Sequence, residues 1–232
     1  MNIQPIKTRV FLPNENILEF IKEYIYNIKD GDIIVITSKV VSYSEGRFVF
    51  PYTRKMRDQI IKNESSFLLR TKYTWLTIKD GMVMASAGVD ESNADNKLLL
   101  LPKDSFKTAS LLRKELMKYY NVKKLGILIT DSRLLPLRSG VVGVALGYAG
   151  FKGIRNYIGK RDIFGRELKF SRTDIADSLA TSAVLCMGEG NEQQPLATIH
   201  DAPVEYINKV NSKELKIDPK EDLYAPLFRA LK

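Results

Sequence analysis

The sequence predicts an α+β fold. Helix-like and strand-like stretches are interspersed without strict βαβ alternation. No internal repeat, low-complexity tract or long linker separates them. The 232 residues are 44% hydrophobic and 27% charged, enough for one large domain or two small ones with a real core. We take 1–232 as a single unit.

The elements follow in chain order. "NENILEFIKEYIYNI" sets Ile17, Ile21, Ile25 and Ile28 on one helical stripe, capped by Asn14 or Asn16. "KDGD" is a turn, and the apolar, β-branched "IIVITSKVVS" after it reads as a buried strand. "YTRKMRDQIIKNESSFLLRT" reads as helix. "YTWLTIKDGMVMASAG" is a hairpin, because two β-rich runs flank Asp80-Gly81, a dipeptide suited to a type I′ turn.

"DSFKTASLLRKELMKYY" is an amphipathic helix opened by Asp104 or Ser105. "KLGILIT" is a strand that ends at Thr130, and "VVGVALGYAG" is a glycine-broken strand. "RDIFGRELKF" forms a short hairpin or bend. "TDIADSLATSAVLCMGEG" is a helix with Ile175, Leu179, Ala183 and Cys186 on one face, stopped at Gly188 or Gly190. Asp218-Pro219 with Glu221 starts a last short helix that Pro226 disturbs.

Composition narrows the function. A single cysteine excludes an intrachain disulfide framework and a cysteine-rich zinc site. No signal-like pattern and no membrane-length apolar run is present, so the expectation is a cytoplasmic protein without a membrane partner. The net charge of +9 favours anionic partners, though the Lys and Arg residues are scattered. A nucleic-acid-binding protein would use that charge and the eleven tyrosines, but no RNA-binding signature or aromatic-basic interleaving supports it. Phosphate-loop, dinucleotide and G-x-S-x-G motifs are absent. His200 in "TIHDAP" reads as a loop residue, which leaves no His-based nucleophilic centre.

What remains are carboxylates at the ends of apolar elements. Asp90 follows "MVMASAGV", Asp131 follows "GILIT", and Glu189 follows "VLCMG". Acids converging from separate elements are what Mg²⁺ or Mn²⁺ needs when it also holds phosphates. Equally, Asp ends strands because it makes turns. "GVDESN" and "SKVVSYSEGR" add polar clusters after strand-like runs. The second, with Ser38, Lys39, Ser42, Ser44, Glu45 and Arg47, either holds anions or ends an edge strand.

Taken in order, Leu12-Pro13, "GDIIVITSKVVSYSEGR", "ASAGVDESN", "LLLLP", "GILITDS", "RSGVVGVALG", "GIRNYIGKRDIFGREL" and "MGEG" resemble the coenzyme F-420-0:γ-glutamyl ligase family over about the first 200 residues. That resemblance implies two intertwined α+β subdomains, a homodimer, and amide formation between L-glutamate and a coenzyme carboxylate. It implies GTP, or ATP, as co-substrate, two Mg²⁺ or Mn²⁺ ions, and a monovalent cation. Metal-binding roles fall on Asp90, Asp131, Ser132 and Glu189. Nucleotide contacts fall on Leu12, Pro13, Ser38, Asn93, Met187, Gly188 and Gly190. Asp131 and Arg138 are the catalytic candidates, with Arg138 meeting an anion and the glycines after it keeping the backbone low beside the ligand.

The family pattern after the aspartate is Asp-Thr-x-Gly-Arg-x-x-Arg-x-Gly. Here Leu134 and Leu135 replace the Gly and Arg, and Tyr43 stands where Lys is common. Two cations are therefore missing. Leu134, Leu135 and Leu137 are expected to form an apolar wall and Tyr43 a stacking ring, which suits a folate-type acceptor as well as the phosphodiester coenzyme. The alternative class is a nucleic-acid- or coenzyme-binding protein without ligase activity.

Overall fold

The computed structural model describes residues 1–229. In chain order it contains β1 (Asn2–Ile6), α1 (Ile17–Tyr24), β2 (Asp32–Thr37), α2 (Ser38–Ser44), β3 (Phe48–Val49), α3 (Arg54–Glu64), β4 (Phe67–Arg70), β5 (Trp75–Lys79) and β6 (Met82–Ala85). There follow β7 (Leu98–Leu99), α4 (Ser105–Tyr120), β8 (Leu125–Leu134), β9 (Val141–Ala149), β10 (Ile154–Asn156), β11 (Arg172–Asp174), α5 (Ile175–Met187), β12 (Leu196–His200) and α6 (Ala225–Arg229). The class is α+β, as expected.

The main sheet has the order β1-β12-β2-β8-β9. Its one parallel pair is β2 with β8, in register from Asp32 with Leu125 to Thr37 with Thr130. Side chains of β2 alternate between two cores. Ile34 and Ile36 pack with α1, α2 and α4, while Ile33 and Val35 pack with α5. Both faces are covered, which is why this strand reads as an unbroken apolar run. A smaller sheet, β4-β5-β6, carries the expected hairpin, with Asp80 and Gly81 at φ 53° and 83° in the turn.

Local chemistry explains most boundaries. Asn16 caps α1 by accepting from Leu18 N at 2.9 Å, and Asp104 caps α4 by accepting from Lys107 N at 2.9 Å. Thr53 caps α3. Gly188, at φ 85°, ends α5.

Several expectations are corrected. The apolar run after "KDGD" is strand only to Thr37, and Ser38–Ser44 turns into helix because its apolar side chains must fold back over the sheet. The predicted helix over 52–71 stops at Glu64, and Phe67–Arg70 pairs with β5 instead. β8 does not end at Thr130. A bulge between Ile129 and Thr130 carries it out of the core to Leu134, and bulges of this kind re-aim the side chains that follow.

On α5 the buried face is Ile175, Ala176, Leu179, Ala180, Ala183 and Met187, while Cys186 is exposed. The segment after Asp218 forms turns, and the helix begins at Ala225 with Pro226 in its first turn, where a missing N–H costs little. His200 is no loop residue. It ends β12 and meets Asp32 Oδ1 at 2.8 Å. The glycines of β9 serve helix packing rather than a ligand: a Cβ on Gly143 would lie 2.4 Å from Ala180 O of α5, and one on Gly147 2.5 Å from the Ser105 carbonyl carbon of α4.

Asp174 caps α5, accepting from Asp177 N at 2.9 Å, and the Asp177 carboxylate accepts from Ala145 N at 2.8 Å. Burial, followed by the neighbouring Asp177 charge, pushes the Asp174 carboxyl up to about 6. A carboxyl whose folded value lies above its unfolded one lowers stability as pH rises between about 4 and 6, because only the folded state still holds the proton there. Asp174→Asn keeps the cap and removes the charge. It should raise the melting temperature by roughly 2–4 °C at pH 8, or about 1 kcal/mol after allowance for solvent screening. The gain should vanish below about pH 4, and a pH-independent difference would refute this reading.

Candidate active site

A cavity of about 450 Å³ opens beyond the carboxyl ends of the parallel strands β2 and β8. In α/β sheets, crevices at strand carboxyl ends are the usual ligand sites. Five segments wall it: residues 9–13, the junction of β2 and α2, the loop before β7, the bulged part of β8, and the end of α5 with the loop after it.

Hydrogen bonds tie these walls together. Thr8 N donates to Gln193 O at 3.1 Å, and Gln193 Nε2 donates to Thr8 O at 2.7 Å. Thr37 N donates to Pro195 O at 3.0 Å. Asn93 Nδ2 donates to Gly190 O at 2.9 Å, with Asn93 itself at φ 52°. Asn93 therefore couples the "GVDESN" turn to the "MGEG" loop.

Of the twelve residues given metal, nucleotide or catalytic roles, nine line this one cavity: Leu12, Pro13, Asn93, Asp131, Ser132, Met187, Gly188, Glu189 and Gly190. Ser38 lies buried behind Asp131, its hydroxyl donating to Asp131 Oδ1 at 3.2 Å. Asp90, fixed by an antiparallel bridge to Leu99, does not line the cavity but pairs with Lys39, which does. Arg138 is elsewhere. It sits in the exposed turn between β8 and β9, away from the lining residues.

Leu134, at the end of β8, and Leu135 and Leu137, in that turn, are exposed and form no wall of the cavity. Tyr43 does line it, but its ring is buried and its hydroxyl is committed to Ala94 O at 2.9 Å. Of the "SKVVSYSEGR" cluster, Glu45 binds Lys103 N and Thr108, and Arg47 binds Leu101 O and Glu64. Those two are structural.

The electrostatics of the site are those of crowded carboxylates. Burial pushes the Asp131 carboxyl up, against the pull of the nearby Arg133 guanidinium. Burial also raises the Glu189 carboxyl; the Ser132 hydroxyl and Lys39 ammonium lower it, while Asp131 and Asp90 repel it. At Asp90 burial is outweighed by the Lys39 ammonium, which holds the carboxyl below its ordinary range.

The donor set of Asp90, Asp131, Glu189 and the Ser132 hydroxyl is hard oxygen, the chemistry of Mg²⁺ or Mn²⁺ sites. Among the described residues, no three acidic, His or Cys side chains stand close enough to hold a metal ion as they are placed. Lys39, with its ammonium on Asp90, already occupies a cation's place there. Of this set, Asp131, Ser132 and Glu189 line the cavity together, and their oxygens are of the kind a divalent ion takes. Of the cations on the cavity wall, Lys39 belongs to the "SKVVSYSEGR" cluster, read as an anion holder or a strand end, while Arg9 and Lys97 carried no motif that singled them out.

The same residues that wall the cavity fall within a family match. The family model described as F420-0:Gamma-glutamyl ligase covers residues 5–201. The chain belongs to that family. It is 37% identical over 217 residues to the coenzyme F420:L-glutamate ligase of Methanococcus maripaludis strain C7, covering 86% of this chain and 87% of that protein. It is 35% identical to the protein of that name from Methanocaldococcus jannaschii, covering 89% and 88%, and 33% identical to that from Methanopyrus kandleri, covering 84% of each. No helix among the described residues is long and apolar enough to cross a membrane.

Proposed function

We propose that this chain is a γ-glutamyl ligase that joins L-glutamate to a carboxylate of coenzyme F420, driven by GTP and two Mg²⁺ or Mn²⁺ ions. The observation that carries this reading is the gathering of Asp131, Ser132 and Glu189 with the "MGEG" loop around one cavity, in a chain of this family.

A carboxylate is a poor electrophile at neutral pH, so it must be activated. In the proposed reaction an oxygen of the acceptor carboxylate attacks the γ-phosphorus of GTP, and GDP leaves. The glutamate amine then attacks the acyl carbon. The C–N bond forms, the C–O bond to phosphate breaks, inorganic phosphate departs, and the amine loses a proton. Such transfer depends on positioning and charge neutralisation rather than on a protein nucleophile. That agrees with a site that offers acids, amides and cations but no His or Cys.

A divalent ion would be held by Asp131 and Glu189, with Ser132 and Asp90 beside them, and would neutralise phosphate charge. Asn93 and the loop from Met187 to Gly190 would hold the nucleotide. The leucines expected to form an apolar wall do not line the cavity, so that feature does not favour a folate-type acceptor over the phosphodiester coenzyme.

The test is purified protein with L-glutamate, Mn²⁺, GTP or ATP, and each acceptor in turn, read by mass. Glutamylated coenzyme F420 with GTP is expected. Absence of product from every acceptor would overturn the reading. We also propose a homodimer. Its apolar surface would come from exposed side chains such as Leu137, Ile163, Phe164 and Phe170. Sedimentation should show a dimer at micromolar concentration, and a monomer there would count against it.

A further inference from the structure

Lys39 stands in the first turn of α2 and lines the cavity. Its ammonium pairs with the Asp90 carboxylate and donates to Ser92 Oγ at 2.9 Å. It also acts electrostatically on the carboxyls of Asp131 and Glu189. One flexible cation thus pairs with Asp90 and shares a cavity wall with Asp131 and Glu189, carboxylates supplied by three separate segments. The other cations on the cavity wall are held elsewhere. Arg9 is bound to Glu15 at 2.9 Å and to Glu23 at 3.1 Å, and Lys97 to Asp95 at 2.7 Å.

Ammonium and divalent metal compete for the same carboxylate lone pairs, and the metal brings twice the charge. The Lys39 and Asp90 side chains keep 29% and 42% of their exposure, so the pair is open to solvent and ions. The lysine stem is flexible, and its head can swing without disturbing the core. Lysine serves well as a point charge against phosphate.

We propose that Lys39 is an exchangeable tethered cation, which holds Asp90 while no divalent ion is bound, yields it to the incoming ion, and turns its ammonium onto an anionic oxygen of the bound nucleotide. This rests on the metal and nucleotide reading given above.

Calorimetric titration tests it without turnover. Mn²⁺ is titrated into metal-free wild type, Lys39→Met and Lys39→Gln, alone and with GDP, and each protein is checked by thermal melting. The Gln variant keeps a polar head for Ser92 and carries the test if the Met variant does not fold. Without GDP, both variants should bind Mn²⁺ roughly tenfold or more tightly than wild type, because the competing cation is gone. With Mn²⁺ present, both should bind GDP roughly tenfold more weakly, because a charge-assisted contact is lost. Unchanged or weaker Mn²⁺ binding, or unchanged GDP binding, would overturn the exchange. Wild type that binds no Mn²⁺ even with GDP would instead overturn the metal and nucleotide reading itself, and the exchange with it.

Discussion

Asp131→Asn should abolish ligation, lowering kcat/KM by roughly 1,000-fold or more, while the protein keeps its fold. The scale is that of losing a preorganised charge contact to the reacting group in a water-poor site. Asp131 is the most deeply buried of the three acids, held by Ser38 at the end of the parallel pair. An amide there retains the Ser38 hydrogen bond but offers a divalent ion no negative charge. The burial that raises the Asp131 carboxyl also means that the neutral Asn removes a desolvation cost, so the melting temperature should hold or rise slightly. Kinetics and thermal melting on one preparation decide the matter. Near-normal turnover with unchanged metal dependence would remove Asp131 from the site.

Gly143→Ala should damage the fold and the site together. A Cβ at this position would lie 2.4 Å from Ala180 O and 2.7 Å from Ala180 C, both backbone atoms of α5 that cannot rotate away. Either β9 or α5 must shift. Overpacking of this kind costs about 2 kcal/mol, or roughly 4–8 °C in melting temperature for a chain of this length. The displaced helix is the one whose end presents Met187, Gly188 and Glu189 to the cavity. Nucleotide KM should therefore rise severalfold even though residue 143 does not line the cavity. A drop in stability with unchanged KM would mean that β9 gives way and α5 stays in place.

The legible parts of the fold were those in which one element carried its own signals. α4 has period, length and an Asp104 cap in the sequence, and it forms from Ser105 to Tyr120. The β5–β6 turn needs two positive φ values and has Asp-Gly to supply them. α2 was hidden because Val40 and Val41 continue the β-branched run of β2, and only packing against the sheet turns them into a helix. β1 and β12 went unread, since "NIQPI" and "LATIH" are short and gain their structure from pairing with each other along the sheet.

The site was legible where the chemistry is local. A carboxylate directly after an apolar run, as at Asp131 and Glu189, does reach the cavity. It was illegible where position depends on a register. The bulge after Ile129 lets β8 run on, so Arg138 is carried out to a turn instead of returning toward the acids. Lys39 was visible only as one polar residue among six, and its place on the cavity wall, paired with Asp90, follows from a fold-back that the sequence pattern conceals.

The central claim is that amide formation here is driven by transfer of a nucleotide phosphate to the acceptor carboxylate. Ligation with an acceptor labelled with oxygen-18 in that carboxylate tests it most directly, with the released phosphate read by mass. The account predicts one labelled oxygen in each phosphate released, in step with each amide formed. Amide accumulating alongside unlabelled phosphate would contradict it.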